Sequence, residues 1–206
     1  MNAFDVSVFH FINHFAGHIP VVDFVMAFFA RYALELYAIL FLIAWLKLPK
    51  ADTEHRHALV VAACAGVVAL IVNFIISHIW FRPRPFMALP AGTYTQLIPH
   101  GPDASFPSDH ASGSFAFAAA SWGKNEKWIR RSITWLAVIV MVARVYVGVH
   151  WPTDVIAGFV VGTLSGRIVW KFSRHLYPLT AIGLKIFGYG PTKRRKHEGV
   201  SKSRGM

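Results

Sequence analysis

Residues 58–86 read ALVVAACAGVVALIVNFIISHIWFRPRPF. The run from Ala58 to Phe81 holds no Asp, Glu, Lys or Arg, and it exceeds the roughly 20 residues that an α-helix needs to cross a hydrocarbon core of about 30 Å. It predicts a transmembrane helix and makes the chain an integral membrane protein. The helix must stop at Arg82-Pro83-Arg84-Pro85. Proline has no N–H to donate, and it pushes the residue before it out of the helical region.

On either side of this helix the pattern repeats. Of the 206 residues, 55% are hydrophobic. Residues 4–15 place Phe4, Val8, Phe11 and Phe15 at helical spacing, which predicts a short amphipathic helix in the interface. Residues 21–46 are apolar except for Asp23, Arg31 and Glu35. They read either as one long tilted span or as a short entry helix followed by a span. Further apolar segments occupy about 108–122, 132–149 and 155–172, and a weaker, interfacial one lies at 176–188. The first is short for a span but rich in Ala, Ser and Gly, which suits close helix packing. The prediction is an all-α, polytopic membrane bundle of five or six transmembrane helices. One domain covers 1–190, and 191–206 forms a disordered basic tail.

The formal charge is +11, from 21 Lys and Arg against 10 Asp and Glu. In a soluble chain that excess would point to nucleic acid. Here the basic residues sit between apolar segments and in the tail, which is how a membrane protein sets its orientation, so no nucleic-acid partner is expected. Lys47, Lys50 and Arg56 mark one cytoplasmic loop and Lys124, Lys127, Arg130 and Arg131 another; the C-terminal tail joins them. The 82–107 loop and the turn at His150 then face outward together. Cys64 is the lone cysteine, which excludes an intramolecular disulfide and a cysteine-based metal site. Met1-Asn2-Ala3-Phe4-Asp5 has no basic n-region or small-residue cleavage site of a signal peptide.

Three polar clusters fall on that outward side. Arg144 lies near the end of an apolar helix, where an unpaired guanidinium is expensive and a phosphate suits its planar fork. His150 sits in the following turn, Pro152 opens the next helix, and Asp154 falls in that helix's first turn, within reach of one imidazole nitrogen. Such a bond fixes the tautomer and frees the other nitrogen to attack. Ser108, after Pro107, reads as the N-cap of an Ala-rich helix whose first amides form an anion site. His110 in that turn is a candidate general acid. Arg82 and Arg84 are held in a stiff Pro-interrupted segment. Singly, each cluster has a plainer reading: a structural His–Asp bridge, a capped helix, interfacial anchors. Together, in order on one membrane face, they point to phosphoryl transfer.

These residues resemble the three-part signature of the type 2 phosphatidic acid phosphatase (PAP2) superfamily, which includes vanadium haloperoxidases. Arg84-Pro85 match the first part, with Ser77 in the place of its lysine. Pro107-Ser108-Asp109-His110 match the second, with Asp109 for glycine. Arg144, His150 and Asp154 match the third, with Ala143 for serine. The Pro-Arg-Pro-Phe and Phe-Pro-Ser-Asp-His variants are similar to the undecaprenyl pyrophosphate phosphatase branch. The resemblance implies a haloperoxidase-like helical fold and hydrolysis of the terminal phosphate of a polyprenyl diphosphate in the bacterial cell membrane, recycling the lipid carrier for cell-wall synthesis. It implies His150 as nucleophile, Asp154 as its orienting partner and His110 as acid. Arg84, Arg144, Ser108 and the amide of Asp109 would hold phosphate, with Arg82 a candidate substitute for the missing lysine charge. No metal and no other cofactor is implied, and a homodimer is a candidate assembly.

Alternatives are a phosphatase of phosphatidic acid, phosphatidylglycerol phosphate or another lipid monophosphate, and a lipid phosphotransferase. Outside the enzymes stands a lipid-phosphate binder or transporter that keeps the arginines alone. Arg31 and Glu35, four apart, read as an intrahelical ion pair, with Glu35 and Ser77 as candidate support for the site.

Overall fold

The computed structural model describes residues 2–189, so the basic tail expected at 191–206 lies outside the described residues. In chain order the elements are α1 (Ala3–Asn13), α2 (Pro20–Arg31), α3 (Ala33–Lys47), α4 (Thr53–Ile79), α5 (Pro85–Ala88), α6 (Asp109–Ser121), α7 (Lys127–Tyr146) and α8 (Pro152–Lys171). A 3-10 turn (Ser173–Leu176) and α9 (Tyr177–Ile186) follow, and no strand occurs among the described residues. The predicted helix at 58–81 is α4. It ends at Ile79, just before the prolines.

The sorting of α4 side chains shows what surrounds the bundle. Its small residues Ala58, Ala62, Ala65 and Ala69 are fully buried, whereas Val67, Leu70, Ile71, Phe74 and Ile75 are exposed. In water that arrangement would leave a large apolar patch uncovered. In lipid it is the stable one, because small residues let backbones approach and large apolar ones meet acyl chains. On α8, Ile156, Val160, Leu164 and Ile168 face outward in the same way.

Helix α6 is the centre of the bundle, packed on α8 and α4. At 13 residues it rises about 20 Å, too short for a span, but protein rather than lipid surrounds most of it. Its contact with α8 is backbone on backbone. A Cβ placed on Gly158 would lie 2.8 Å from the Ser108 carbonyl oxygen, on Gly162 2.2 Å from that of Ser112, and on Gly166 2.7 Å from that of Ala116. These glycines, four apart, lay one stripe of α8 against α6. A similar notch at Gly66 of α4 receives the ring of Phe117.

By length and composition α4 and α8 are able to cross a membrane, and α2 with α3 makes a third crossing if that bent pair is one span. The pair bends by 73° at Tyr32, which separates Arg31 at the end of α2 from Glu35 in the first turn of α3. The expected intrahelical ion pair therefore does not form: both side chains are exposed and on different helices. Helix α1 turns Phe4, Phe11 and Phe15 outward and buries Asp5, Phe9 and Asn13.

The C-terminal ends of α4 and α7 and the N-terminal ends of α6 and α8 meet at one end of the bundle. Basic residues gather at the other, where Lys47 lies 6.0 Å from the Trp128 ring, Lys124 5.0 Å from Trp170 and Arg130 5.4 Å from Trp122. Arg56 is fully buried there and donates to the carbonyls of Trp45, Leu48, Pro49 and Asp52, closing the end of α3. Replacing Gly162 by alanine drives a methyl group into backbone that cannot yield, a change that costs about 1–3 kcal/mol. Thermal unfolding in detergent should show Gly162→Ala melting well below the wild type. Gly113→Ala, whose Cβ meets nothing within 4 Å, should melt close to it.

Candidate active site

The end of the bundle where the three clusters converge holds a cavity of about 790 Å³. Its wall includes Arg84, Asp109, His110, Arg144 and His150, with Ser77 and His78 at the end of α4 and His100 and Asp103 from the loop between α5 and α6. The fold thus brings together the sequence-predicted Ser77, Arg84, Asp109, His110, Arg144 and His150. Ser108, Asp154, Glu35 and Arg82 are not in that wall.

His150 occupies the turn between α7 and α8 and is 2% exposed. Its Nδ1 lies 2.9 Å from the carbonyl oxygen of Ser105. A carbonyl only accepts, so Nδ1 carries the proton and Nε2 presents a lone pair. Two guanidiniums flank that lone pair. Arg84 Nη1 is 3.2 Å from Nε2 and Arg144 Nη2 is 3.4 Å from it. Burial first, and then the charges of Arg144 and Arg84, hold the imidazole well below its ordinary pKa. It is neutral at physiological pH.

Both arginines are fixed by main-chain oxygens. Arg84 precedes Pro85, which opens α5, and donates from Nη1 to Val149 O at 2.8 Å and from Nη2 to Ala104 O at 3.2 Å. Its Nε donates to the Asp103 carboxylate at 2.8 Å. Burial works to raise the Asp103 pKa, but the Arg84 bond and charge keep it below the usual carboxylate value. Arg144, in the last turn of α7, donates from Nη1 to Ala30 O at 2.9 Å. Ala30 lies in the last turn of α2, where the helix break leaves carbonyls without helical donors. Arg144 Nε has no hydrogen-bond partner although it is buried, and neither has the hydroxyl of Ser108. An unpartnered guanidinium donor at a cationic cavity suits an anion, and Ser108 stands between two wall residues, Pro107 and Asp109.

Ser108 does stand at the N-cap of α6, but its side chain makes no capping bond. Its amide instead donates to Asp154 O at 3.1 Å, tying the starts of α6 and α8. Asp109 is turned aside: Asn73 of α4 donates to its carboxylate at 2.9 Å, and the Asn73 oxygen accepts from Ser112 Oγ at 3.0 Å. Ser77 donates to Phe74 O within its own helix.

Asp154 is fully buried but does not bond His150 directly as expected. The nearest carboxylate oxygen is 3.6 Å from Nδ1, beyond hydrogen-bond reach. The carboxylate turns back on its own helix start, accepting from Trp151 N at 2.8 Å, and Ser105 Oγ donates to the same oxygen. Ser105 therefore bridges the pair, its carbonyl on His150 and its hydroxyl on Asp154. Arg82 points behind the cavity, with Nη1 2.6 Å from Asp154 and Nη2 2.5 Å from Asp5. It makes no contact with the cavity wall that would replace a lysine there. Asp52, His55 and Glu126 are spaced as metal ligands can be, but they sit at the basic end, and Asp52 is engaged by the amide and ring of His55.

Sequence reasoning passed over Ser105, Asn73 as a partner of Asp109, His100, Asp103 and Asp5. Ser105, three residues before Ser108, was within reach of a motif-centred search. The others come from positions that only the fold brings near.

A family profile described as PAP2 superfamily matches residues 56–177. Undecaprenyl-diphosphatase BcrC of Bacillus subtilis is 34% identical over 181 residues, covering 88% of this chain and 90% of that protein. An undecaprenyl-diphosphatase of Sulfolobus acidocaldarius is 32% identical over 165 residues, covering 78% and 74%. Among solved structures, that of Aquifex aeolicus LpxE superposes with a TM-score of 0.63 at 23% identity, covering 82% of this chain and 96% of that one.

The buried neutral state of His150 has a consequence for stability. The unfolded chain takes up this proton near the ordinary imidazole value of 6.5, while the folded chain takes it up only at lower pH. Below that value the unfolded state holds more protons, so the contribution is fully present above it and is lost as pH falls. Melting curves between about pH 7.5 and 5 should show the wild type losing stability on acidification more steeply than His150→Gln.

Proposed function

This chain belongs to the PAP2 superfamily, and on that footing we propose that it is a membrane phosphatase that removes the terminal phosphate of undecaprenyl diphosphate through a phosphohistidine on His150. The observation that carries the proposal is the imidazole itself: its Nδ1 proton is held by Ser105 O and its Nε2 lone pair is bracketed by two guanidiniums. The substrate class is supported by the similarity to two undecaprenyl-diphosphatases.

In the first step the Nε2 lone pair attacks the terminal phosphorus and the bond from phosphorus to the bridging oxygen breaks. Arg84, Arg144, the Ser108 hydroxyl and the first amides of α6 hold the equatorial oxygens, where charge spreads in the transition state. His110 gives its proton to the departing lipid monophosphate. In the second step water attacks the phosphohistidine, His110 takes a proton from that water, the P–N bond breaks and inorganic phosphate leaves. Electrostatic stabilisation comes from the side chains themselves, so the reaction proceeds without a divalent metal.

The basic end of the bundle belongs in the cytoplasm by the positive-inside rule. The cavity then opens on the outer face of a bacterial cell membrane, with the C-terminus inside. A homodimer is compatible with this arrangement.

The test is phosphate release by the purified protein from undecaprenyl diphosphate and phosphatidic acid side by side, in EDTA, with His150→Ala alongside. Rapid release from the diphosphate, abolished in the variant and indifferent to EDTA, is expected. Preference for phosphatidic acid would keep the site and overturn the substrate. Phosphorylated lipid in place of free phosphate would make the protein a transferase. Activity surviving without His150 would refute the mechanism.

A further inference from the structure

Asp5 is a carboxylate with no exposed surface, placed in the first turn of α1 and outside all three motifs. A buried carboxylate is costly unless it is paired and hydrogen-bonded. Asp5 is both. One oxygen accepts from Thr153 N at 2.9 Å; the other accepts from Thr153 Oγ1 at 2.8 Å and from Arg82 Nη2 at 2.5 Å.

The partners lead to the reacting histidine. Thr153 N is one of the amides at the start of α8 that have no acceptor within the helix, so Asp5 closes α8 from another helix. Arg82 spends its two terminal nitrogens on two carboxylates, Nη2 on Asp5 and Nη1 on Asp154, with Nη1 also 2.7 Å from Thr153 Oγ1. A planar fork held at both tips has no freedom to rotate. The held Asp154 keeps its second oxygen for Trp151 N and Ser105 Oγ, and Ser105 O holds His150 Nδ1.

We propose that Asp5 is a positioning residue for phosphoryl transfer, acting on His150 through Arg82, Asp154 and Ser105. The N-terminal helix is on this account part of the catalytic apparatus as well as an interfacial anchor. The inference rests on His150 being the nucleophile. With Asp5 neutral, Arg82 keeps one anionic partner and is free to swing, Thr153 N loses its charged acceptor, and the carboxylate behind the imidazole loses its fixed orientation. Substrate contacts are untouched, because neither Asp5 nor Arg82 lines the cavity.

The experiment is steady-state phosphate release from undecaprenyl diphosphate by the full chain in detergent, for wild type, Asp5→Asn, Arg82→Gln, the double variant, His150→Ala and Asn13→Ala. Asn13 anchors the far end of α1 through the carbonyls of Thr95 and Tyr146, so its replacement loosens the helix without touching Arg82. Asp5→Asn should lower kcat by about 10- to 100-fold, the scale of loss seen when the outer partners of a metal-bound histidine are removed, at nearly unchanged KM. The double variant should be no slower than Arg82→Gln alone, because two residues acting as one unit do not lose activity additively. Asn13→Ala should lower Tm and keep kcat.

Wild-type kcat in Asp5→Asn, a loss confined to KM, or multiplied losses in the double variant would each overturn the proposal. So would a kcat loss in Asn13→Ala as large as that in Asp5→Asn. If Asp5→Asn does not fold, Arg82→Lys serves instead, since it keeps the charge but cannot bridge two carboxylates: the same kcat-selective loss is expected, and unchanged kcat overturns the proposal. Phosphate release by His150→Ala would bring down the phosphohistidine mechanism and this inference with it. An inactive His150→Ala beside a fully active Asp5→Asn would remove the positioning role alone.

Discussion

The backbone contact between α6 and α8 is the constraint from which the rest of the bundle follows. Gly158, Gly162 and Gly166 leave no room for a side chain between the two helices, so their axes come as near as backbone atoms allow. That approach lets the Ser108 amide reach the carbonyl of Asp154, joining two helix starts whose motifs lie far apart in sequence. It also puts the short α6 inside protein, where its length need not match the bilayer. Stability in lipid comes from such packing rather than from hydrophobic exclusion, since acyl chains are as apolar as the residues they meet.

With the helix starts fixed, charge is sorted around His150. Two guanidiniums stand on the cavity side, held mostly by carbonyl oxygens of Val149, Ala104 and Ala30. Two carboxylates, Asp154 and Asp5, stand behind the ring and share Arg82. Carbonyls orient the cavity arginines without neutralising them, as closely placed carboxylates would; Asp103 alone engages one of them, through Arg84 Nε. A preorganised field of this kind favours the charge that develops on a transferring phosphoryl group and costs little reorganisation during reaction. The break at Tyr32 has a part in it, since it ends α2 where Ala30 can offer its oxygen to Arg144.

Much of this was legible before the fold. An uncharged run followed by alternating prolines specifies where α4 crosses and where it stops, and residue types at helix ends and in the turns between helices identify Arg84, His110, Arg144 and His150 as neighbours of one cavity. The glycine stripe of α8, spaced by four residues, was passed over in the sequence. Other features were not legible there. The bend at Tyr32 carries no Pro or Gly. The Ser105 carbonyl is a main-chain atom that every residue has, so no side-chain pattern announces that it holds the imidazole in place of Asp154. Asp5 meets Arg82 across 77 positions and Thr153 across 148, and polar pairs at such separation leave no periodic trace in one sequence.

Of the two departures from the family pattern at the cavity, the one at Asp109 is accounted for by Asn73. Serine at position 77 removes a positive charge and aspartate at 109 adds a negative one, and both changes oppose anion binding. The Asn73 amide draws the Asp109 carboxylate toward α4, while Ser112 holds Asn73 from its other side. The aspartate thus satisfies a buried asparagine with one carboxylate oxygen while remaining in the cavity wall. What remains is a cavity whose fixed cations are Arg84 and Arg144, joined by the imidazoles of His78, His100 and His110. An imidazole near two guanidiniums resists protonation, as burial and both arginines make His100 and, to about 3, His110 do. In the proposed reaction a bound diphosphate would reverse that balance, because its charge favours the imidazolium form. His110 would then take up the proton needed on the leaving-group side as the anion binds.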